Sequence, residues 1–237
     1  MPVRKIPKNF RSVTGFFPSV KNGRSVAFES RLERDFFLLL EFDPAVATYE
    51  EQPLVLEGKL AGKKLKYTPD CLITYRHRSP LQTIVEVKYR KDLEENKDDL
   101  LPRFDLAKSY AEENGLAFKV MTDEDIRGNF LDNCKFIYGF NRQPTDFGLH
   151  ADKIVQVARD AGGISLVDLL QHCAKDRAEQ PILVPIVWHL CFKGRLALSD
   201  AERPIDNSTI LKVVMEPIVL RSNAGCDVEK FTGDRKE

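Results

Sequence analysis

Apolar residues fall at helical spacing between Ser30 and Phe42, where Leu32, Phe36 and Leu39 form a stripe that Phe37 and Leu40 widen, so the segment predicts a helix. Ser30 and Glu33 match a capping box at its start, and Asp43-Pro44 ends it. Extended structure follows over Val46 to Glu50 and Pro53 to Glu57, interrupted at Gln52-Pro53. Gly58 and Gly62 supply turn signals before a strand that runs into Thr68. Two strand-like runs, CLITY and TIVEV, are joined by the polar connection Arg76 to Pro80 and predict a β-hairpin. The charged stretch Arg90 to Asp99 reads as a solvated loop or helix start. Leu100, Phe104, Ala107 and Ala111 then mark a helix ending at Gly115. Phe118 to Met121 reads as a strand and Thr122 to Ile126 as a cap opening a short helix. A crossover of this kind puts the Phe118 strand beside the hairpin in one mixed sheet of an α/β domain.

The pattern changes near Asp146. Ala151 to Ala161 is helical and stops at Gly162-Gly163, and Ser165 caps a second helix through Leu166, Leu169 and Leu170, with Asp168 in the capping-box position. A third helix, rich in Ile186, Val187 and Leu190, starts near Pro181 or Pro185. Strands over Arg195 to Leu198 and Thr209 to Met215 flank a polar excursion around Arg203 to Asn207. Three helices and a two-stranded ribbon predict a winged helix, a module that serves either DNA or protein partners. In the first case the third helix would present His189 or Lys193 to DNA and the wing Arg203. Asp200, Glu202 and Asp206 dilute that basic character. The expected order is a basic arm over 1–28, a catalytic domain over 29–145, a winged-helix-like domain over 146–220 and a tail over 221–237.

Charge narrows the partners. The 237 residues hold 36 Lys and Arg against 36 Asp and Glu, so any nucleic-acid contact needs local patches. One candidate is the start of the chain, where Arg4, Lys5, Lys8, Arg11, Lys21 and Arg24 precede Phe28 without an acidic residue. A solvated tail is the other reading of that arm. Cys71, Cys134, Cys173, Cys191 and Cys226 are odd in number and lack a CxxC pair, which points to reduced thiols and away from zinc. His77, His150, His172 and His189 are isolated in sequence and read as packed or exposed, and Trp188 reads as core. No apolar run reaches the length of a membrane span, and the basic start has no signal-peptide core behind it, so a soluble intracellular protein is expected.

The chemistry concentrates on the hairpin. Asp70 follows Pro69 at the mouth of the first strand, while Glu86 and Lys88 lie two apart in the second and share a face. Burying such charges is costly unless they are paired or bind a metal. Carboxylates converging on one point suit Mg²⁺, and a neighbouring lysine offsets negative charge that develops at a phosphate. Glu33 leans toward the core on the face of Phe37 and Leu40 and is a further acid for the site. The bland readings are a Pro-Asp turn, charges alternating on a half-exposed strand, and a Glu33 that only caps its helix, with Glu29 as its competitor.

The succession SRLERDFFLLLEF, Gln52-Pro53, KYTPD, IVEVK and MTDEDI, spanning roughly Arg24 to Phe140, resembles the catalytic domain of the TnsA family, the endonuclease subunit of heteromeric cut-and-paste transposases. The resemblance implies a restriction-endonuclease-like fold of the PD-(D/E)xK type. In it Glu33, Asp70 and Glu86 hold Mg²⁺ with the Val87 carbonyl, Mn²⁺ is able to substitute, and Lys88 is the motif lysine. Some members carry Gln at the position of Glu86. The implied reaction is cleavage at the 5′ ends of a mobile element on double-stranded DNA, beside a DDE-type transposase subunit that cuts and joins the 3′ ends and an AAA+ ATPase regulator, in the bacterial cytosol at the nucleoid. In the family the carboxy-terminal region helps engage the ATPase. A stand-alone nuclease for restriction or repair, and a non-catalytic DNA-binding adaptor, are the other readings.

Overall fold

A computed structural model describes residues 13–60, 63–77 and 79–214. The described chain divides between Ile126 and Arg127 into two compact units.

The first unit opens with a hairpin of β1 (Gly15–Ser19) and β2 (Arg24–Phe28), closed by Gly23 at φ +63°. This corrects part of the arm expectation. Phe17, Val26 and Phe28 are buried, and the two basic residues of the hairpin are already engaged. Lys21 Nζ donates to the carbonyls of Asp43 and Val46, and Arg24 grips Glu51 with both guanidinium nitrogens at 2.8 and 2.6 Å. Burial pushes the Lys21 ammonium down to about 8 against the pull of Asp43 and Glu41. Both side chains are tied to partners within the unit, although the Arg24 side chain stays 40% exposed. Arg4, Lys5, Lys8 and Arg11 lie outside the described residues, as does the expected tail 221–237.

Helix α1 (Arg31–Phe42) follows, capped as expected by Ser30, whose hydroxyl accepts the Glu33 N–H. Its buried Phe37 stacks on Tyr49 of β3 (Val46–Glu51) at 5.4 Å. A ribbon of β4 (Leu56–Leu60) and β5 (Lys63–Tyr67) leads to β6 (Cys71–Tyr75) and β7 (Gln82–Val87). The charged stretch after β7 is helical, forming α2 (Arg90–Glu95) and α3 (Lys97–Glu113). The chain then enters β8 (Ala117–Met121) and α4 (Asp123–Ile126).

The sheet order is β3-β6-β7-β8, antiparallel except for the parallel β7–β8 pair made possible by the helical crossover. Thr83 to Val87 are all buried, as a strand covered on both faces must be. Leu93, Leu100, Phe104 and Ala107 of the crossover pack with Leu56, Tyr67 and Val120 in one apolar cluster. This α/β arrangement with a mixed sheet fits the expected restriction-endonuclease-like fold.

The second unit holds α5 (Asn129–Tyr138), α6 (Phe147–Asp160), β9 (Ile164–Ser165), α7 (Leu166–Cys173), α8 (Gln180–Phe192), β10 (Leu196–Leu198) and β11 (Ile210–Val213). Its three strands pair in the order β10-β11-β9, both pairs antiparallel. The unit begins earlier than the expected boundary near Asp146, because α5 belongs to it. Asn133 Nδ2 donates to the Ala201 and Arg203 carbonyls at 2.8 Å, and Phe136 meets Trp188 edge-on at 5.1 Å. Trp188 is core as expected, with Ile186, Val187 and Leu190 around it. The expectation that α8 offers His189 to DNA is corrected: the ring is 4% exposed and its Nδ1 bonds the Phe140 carbonyl at 2.8 Å. Among the described residues no helix is long and apolar enough to cross a membrane.

Candidate functional site

Because β6 and β7 are antiparallel with Cys71 opposite Val85, one further step of the same register sets Asp70 opposite Glu86. The Gln52 N–H donates to the Asp70 carbonyl at 3.0 Å and so carries the β3–β6 pairing past its last strand residues. The Asp70 carboxylate is turned back onto β7, where Oδ2 accepts the Val87 N–H at 2.7 Å. Glu86 is 4% exposed and held at both oxygens: Lys88 Nζ stands 3.1 Å from Oε1, and the Tyr67 hydroxyl donates to Oε2 at 2.6 Å. The Lys88 N–H continues the parallel ladder by donating to the Met121 carbonyl. Glu33, buried in the first turn of α1, accepts the Glu29 N–H at Oε2.

Electrostatics ties these groups into one cluster. Burial pushes the Asp70 carboxyl well above the usual carboxylate range. The negative charges of Glu86 and Glu33 push the same way, against Lys88 and the Val87 N–H. Glu33 is raised first by burial, opposed by its Glu29 and Ser30 hydrogen bonds and by Lys88. For Lys88, burial favours loss of the proton, but attraction by Glu86, Asp70 and Glu33 outweighs it and holds the ammonium above its ordinary range. Three acids thus act on a single lysine, which leaves two negative charges uncompensated when all of them ionise.

That surplus is what a divalent cation cancels, and an all-oxygen donor set suits Mg²⁺ or Mn²⁺. Among the described residues no three His, Cys, Asp or Glu side chains are grouped closely enough to enclose an ion unaided. A site of this kind needs no such cage: Mg²⁺ is commonly held by one or two carboxylates, with waters and substrate phosphates filling the remaining positions. The residues present therefore fit the group.

The structure sets Asp70 opposite Glu86 and Lys88 on the Glu86 carboxylate, while Glu33 acts on Asp70 and Lys88 through its charge. The reading of Glu86 as a charge on a half-exposed strand is excluded by its burial. The cap reading of Glu33 holds as well, since one of its oxygens takes the Glu29 N–H while the charge still reaches Asp70 and Lys88. Glu29 itself accepts from Gln52 Nε2 at 3.0 Å. Sequence reasoning missed two residues. Tyr67 shares a face with Leu65 along β5, alternating with Lys64 and Lys66, and that pattern marks its inward side, but nothing local names Glu86 as its partner. Gln52 reads as an interruption before proline and as part of the family succession, with no role of its own, yet it is 7% exposed and sits at φ +44°. Such a backbone costs a side-chain-bearing residue about 1–3 kcal/mol, and persists only where the surroundings over-determine it. The described cysteines Cys71, Cys134, Cys173 and Cys191 are buried free thiols, and His150, His172 and His189 make their contacts elsewhere.

Residues 43–123 match the family model of the TnsA-like endonuclease N-terminal domain. The span contains Asp70, Glu86, Val87 and Lys88, and Glu33 precedes it. No curated protein matches the chain at a significant level.

Proposed function

We infer from the match over residues 43–123 that the chain belongs to the TnsA family, and from that premise we propose that it is a Mg²⁺-dependent DNA endonuclease subunit of a transposase, cutting the 5′ ends of a mobile element. The observation that carries the reading is geometric: the β6–β7 hairpin sets Asp70 opposite a buried Glu86 and holds Lys88 Nζ 3.1 Å from the Glu86 carboxylate. Asp70 and Glu86 are the core cation ligands in this reading, with Glu33 and the Val87 carbonyl completing the set. A bound cation would polarise the scissile phosphodiester and make water a better nucleophile.

The protein's own groups do the rest. Val87 N–H holds Asp70 in place, while Tyr67 and Lys88 together fix the rotamer of Glu86. Both oxygens of Glu86 are engaged, so it would bind an ion by exchanging one of these contacts, and some family members carry Gln there. Lys88, held above its ordinary range, stays protonated at neutral pH. It therefore serves as a fixed positive charge beside the phosphate rather than as a general base.

The family premise supports a DDE-type transposase subunit and an AAA+ ATPase as partners, at DNA of the bacterial nucleoid. The test is 5′-strand cutting of element ends with and without the transposase partner, in Mg²⁺ and in chelator. Cutting that needs both Mg²⁺ and the partner is expected. Mg²⁺-dependent cutting of plain plasmid by the isolated chain would favour a stand-alone nuclease, and no cutting under any condition would favour the adaptor.

Glu33→Gln separates catalyst from cap. A glutamine oxygen can still accept the Glu29 N–H, so the melting temperature should stay within a few degrees while cutting falls by about 10²-fold, a typical loss for one electrostatic group. Undiminished cutting would leave Glu33 as a cap only.

The second unit, with its order α6-β9-α7-α8-β10-β11, supports the winged-helix reading. Its third helix favours docking a protein over reading bases, since Leu183 and Ile186 to Cys191 are buried and its exposed positions are Pro181 and Ile182, with Lys193 exposed at its C-cap as the one basic group there. Arg203, the expected wing contact, pairs with Asp206 at 3.4 Å and Ser208 at 3.1 Å.

A further inference from the structure

Gln52 occupies the step between β3 and Pro53, and three of its groups bear on the frame of the site. Its main-chain N–H donates to the Asp70 carbonyl at 3.0 Å. Its Nε2 donates to Glu29 Oε1 at 3.0 Å, and the Glu29 N–H in turn donates to Glu33 Oε2 at 2.8 Å. The amide nitrogen is the half that faces Glu29, and the position of the oxygen follows from that contact. That oxygen, Oε1, is buried and accepts no hydrogen bond among the described residues.

A residue that merely filled space here would be apolar, and one that merely turned the chain at φ +44° would be glycine. Glutamine meets neither need, because its amide is buried with its acceptor half undonated. The two halves of the amide serve different ends: the donor half braces the segment that leads into Glu33, and the acceptor half would be completed by a water. We propose that Gln52 is a positioning residue of the cation site, a clamp that sets the Glu33 end of α1 against Asp70 so that their carboxylates present a common face to the ion. The proposal rests on the reading of that cluster as a cation site.

The test is calorimetric titration of the full chain with Mn²⁺ alone, without DNA, for wild type, Gln52→Leu, Gln52→Gly and Asp70→Asn, with the metal-free melting temperature of each. Gln52→Leu and Gln52→Gly should both bind Mn²⁺ about 10–100-fold more weakly, the usual range for losing a residue that orients a ligand. Gln52→Gly, relieved of the left-handed strain, should melt no lower than wild type. Both variants binding Mn²⁺ as tightly as wild type would overturn the clamp while Asp70→Asn still loses binding. A Gln52→Gly chain that loses melting temperature together with affinity would overturn it too, assigning the residue to folding alone. A wild type that binds Mn²⁺ no better than Asp70→Asn would sink the cation site itself.

Discussion

Asp70→Asn should lower DNA cutting by about 10³-fold or more and, in the absence of metal at neutral pH, should raise the melting temperature. The first effect follows from losing a cation ligand, since the charge stabilisation a bound metal supplies at a phosphate is worth several kcal/mol, with each ~1.4 kcal/mol a factor of ten. The second follows from the environment of the carboxyl. Asparagine keeps an oxygen for the Val87 N–H but brings no charge into a desolvated position that Glu86 and Glu33 already make negative. The fold thus holds Asp70 at a cost that only the site's use explains.

The pH dependence gives the sign. An unfolded Asp titrates near about 3.9, whereas in the fold the Asp70 proton is held to a higher pH. A carboxyl with a raised folded value contributes nothing against the fold below the unfolded value. Above it, stability is lost progressively as pH climbs through the folded value, where the loss levels off. Wild type and Asp70→Asn should therefore melt alike near pH 3 and diverge upward, with the variant the more stable. Mg²⁺ should then stabilise wild type and not the variant, closing the gap by mass action. Thermal melts across pH, with and without Mg²⁺, check this. A difference that is flat in pH, or that Mg²⁺ leaves untouched, would detach Asp70 from the proposed role.

Much of this site was readable because its parts are set by local rules. Helix α1 has the expected stripe and the Ser30 cap, and the β6–β7 hairpin places Asp70 opposite Glu86 as soon as its register is known. Glu86 and Lys88 share a face because strand residues alternate, and β7 is apolar because helices and sheet neighbours cover it. What escaped depends on partners distant in sequence. Tyr67 is defined by Glu86, and Gln52 by Glu29 and Asp70, none of which a window of a few residues contains. The β1–β2 hairpin escaped for another reason. Lys21 and Arg24 read as free charges, while the residues that consume them, Glu51 and the carbonyls beyond α1, come later in the chain. His189 misled by its chemistry, since a histidine on a third helix suggests DNA, whereas burial and the Phe140 carbonyl make it a core residue.

Glu41→Ala should be strongly destabilising for the first unit, costing about 3–5 kcal/mol, the range for stripping a buried charged group from its partners. Glu41 lies in the last turn of α1, 7% exposed, and its carboxylate accepts four hydrogen bonds. The Ser19 hydroxyl donates at 2.6 Å and the Tyr49 hydroxyl at 2.7 Å, while the N–H groups of Val20 and Lys21 donate at 3.0 and 3.1 Å. Alanine leaves the two buried hydroxyls of Ser19 and Tyr49 without this acceptor, each with its own penalty, while the part-buried N–H groups of Val20 and Lys21 lose it with less cost. A fall in melting temperature of about 10–20 °C is the expected reading for a unit of this size. The consequence reaches the site through α1: the β1–β2 turn is fastened to one end of the helix by Glu41 and Lys21, and Glu33 stands at the other. Cutting by Glu41→Ala should accordingly be near normal well below its own melting temperature and collapse on approach to it. In Asp70→Asn, by contrast, cutting is lost at every temperature while the fold stands. A Glu41→Ala chain that melts like wild type would show that the hairpin is held by Phe17, Val26 and Phe28 alone, with the buried carboxylate adding nothing.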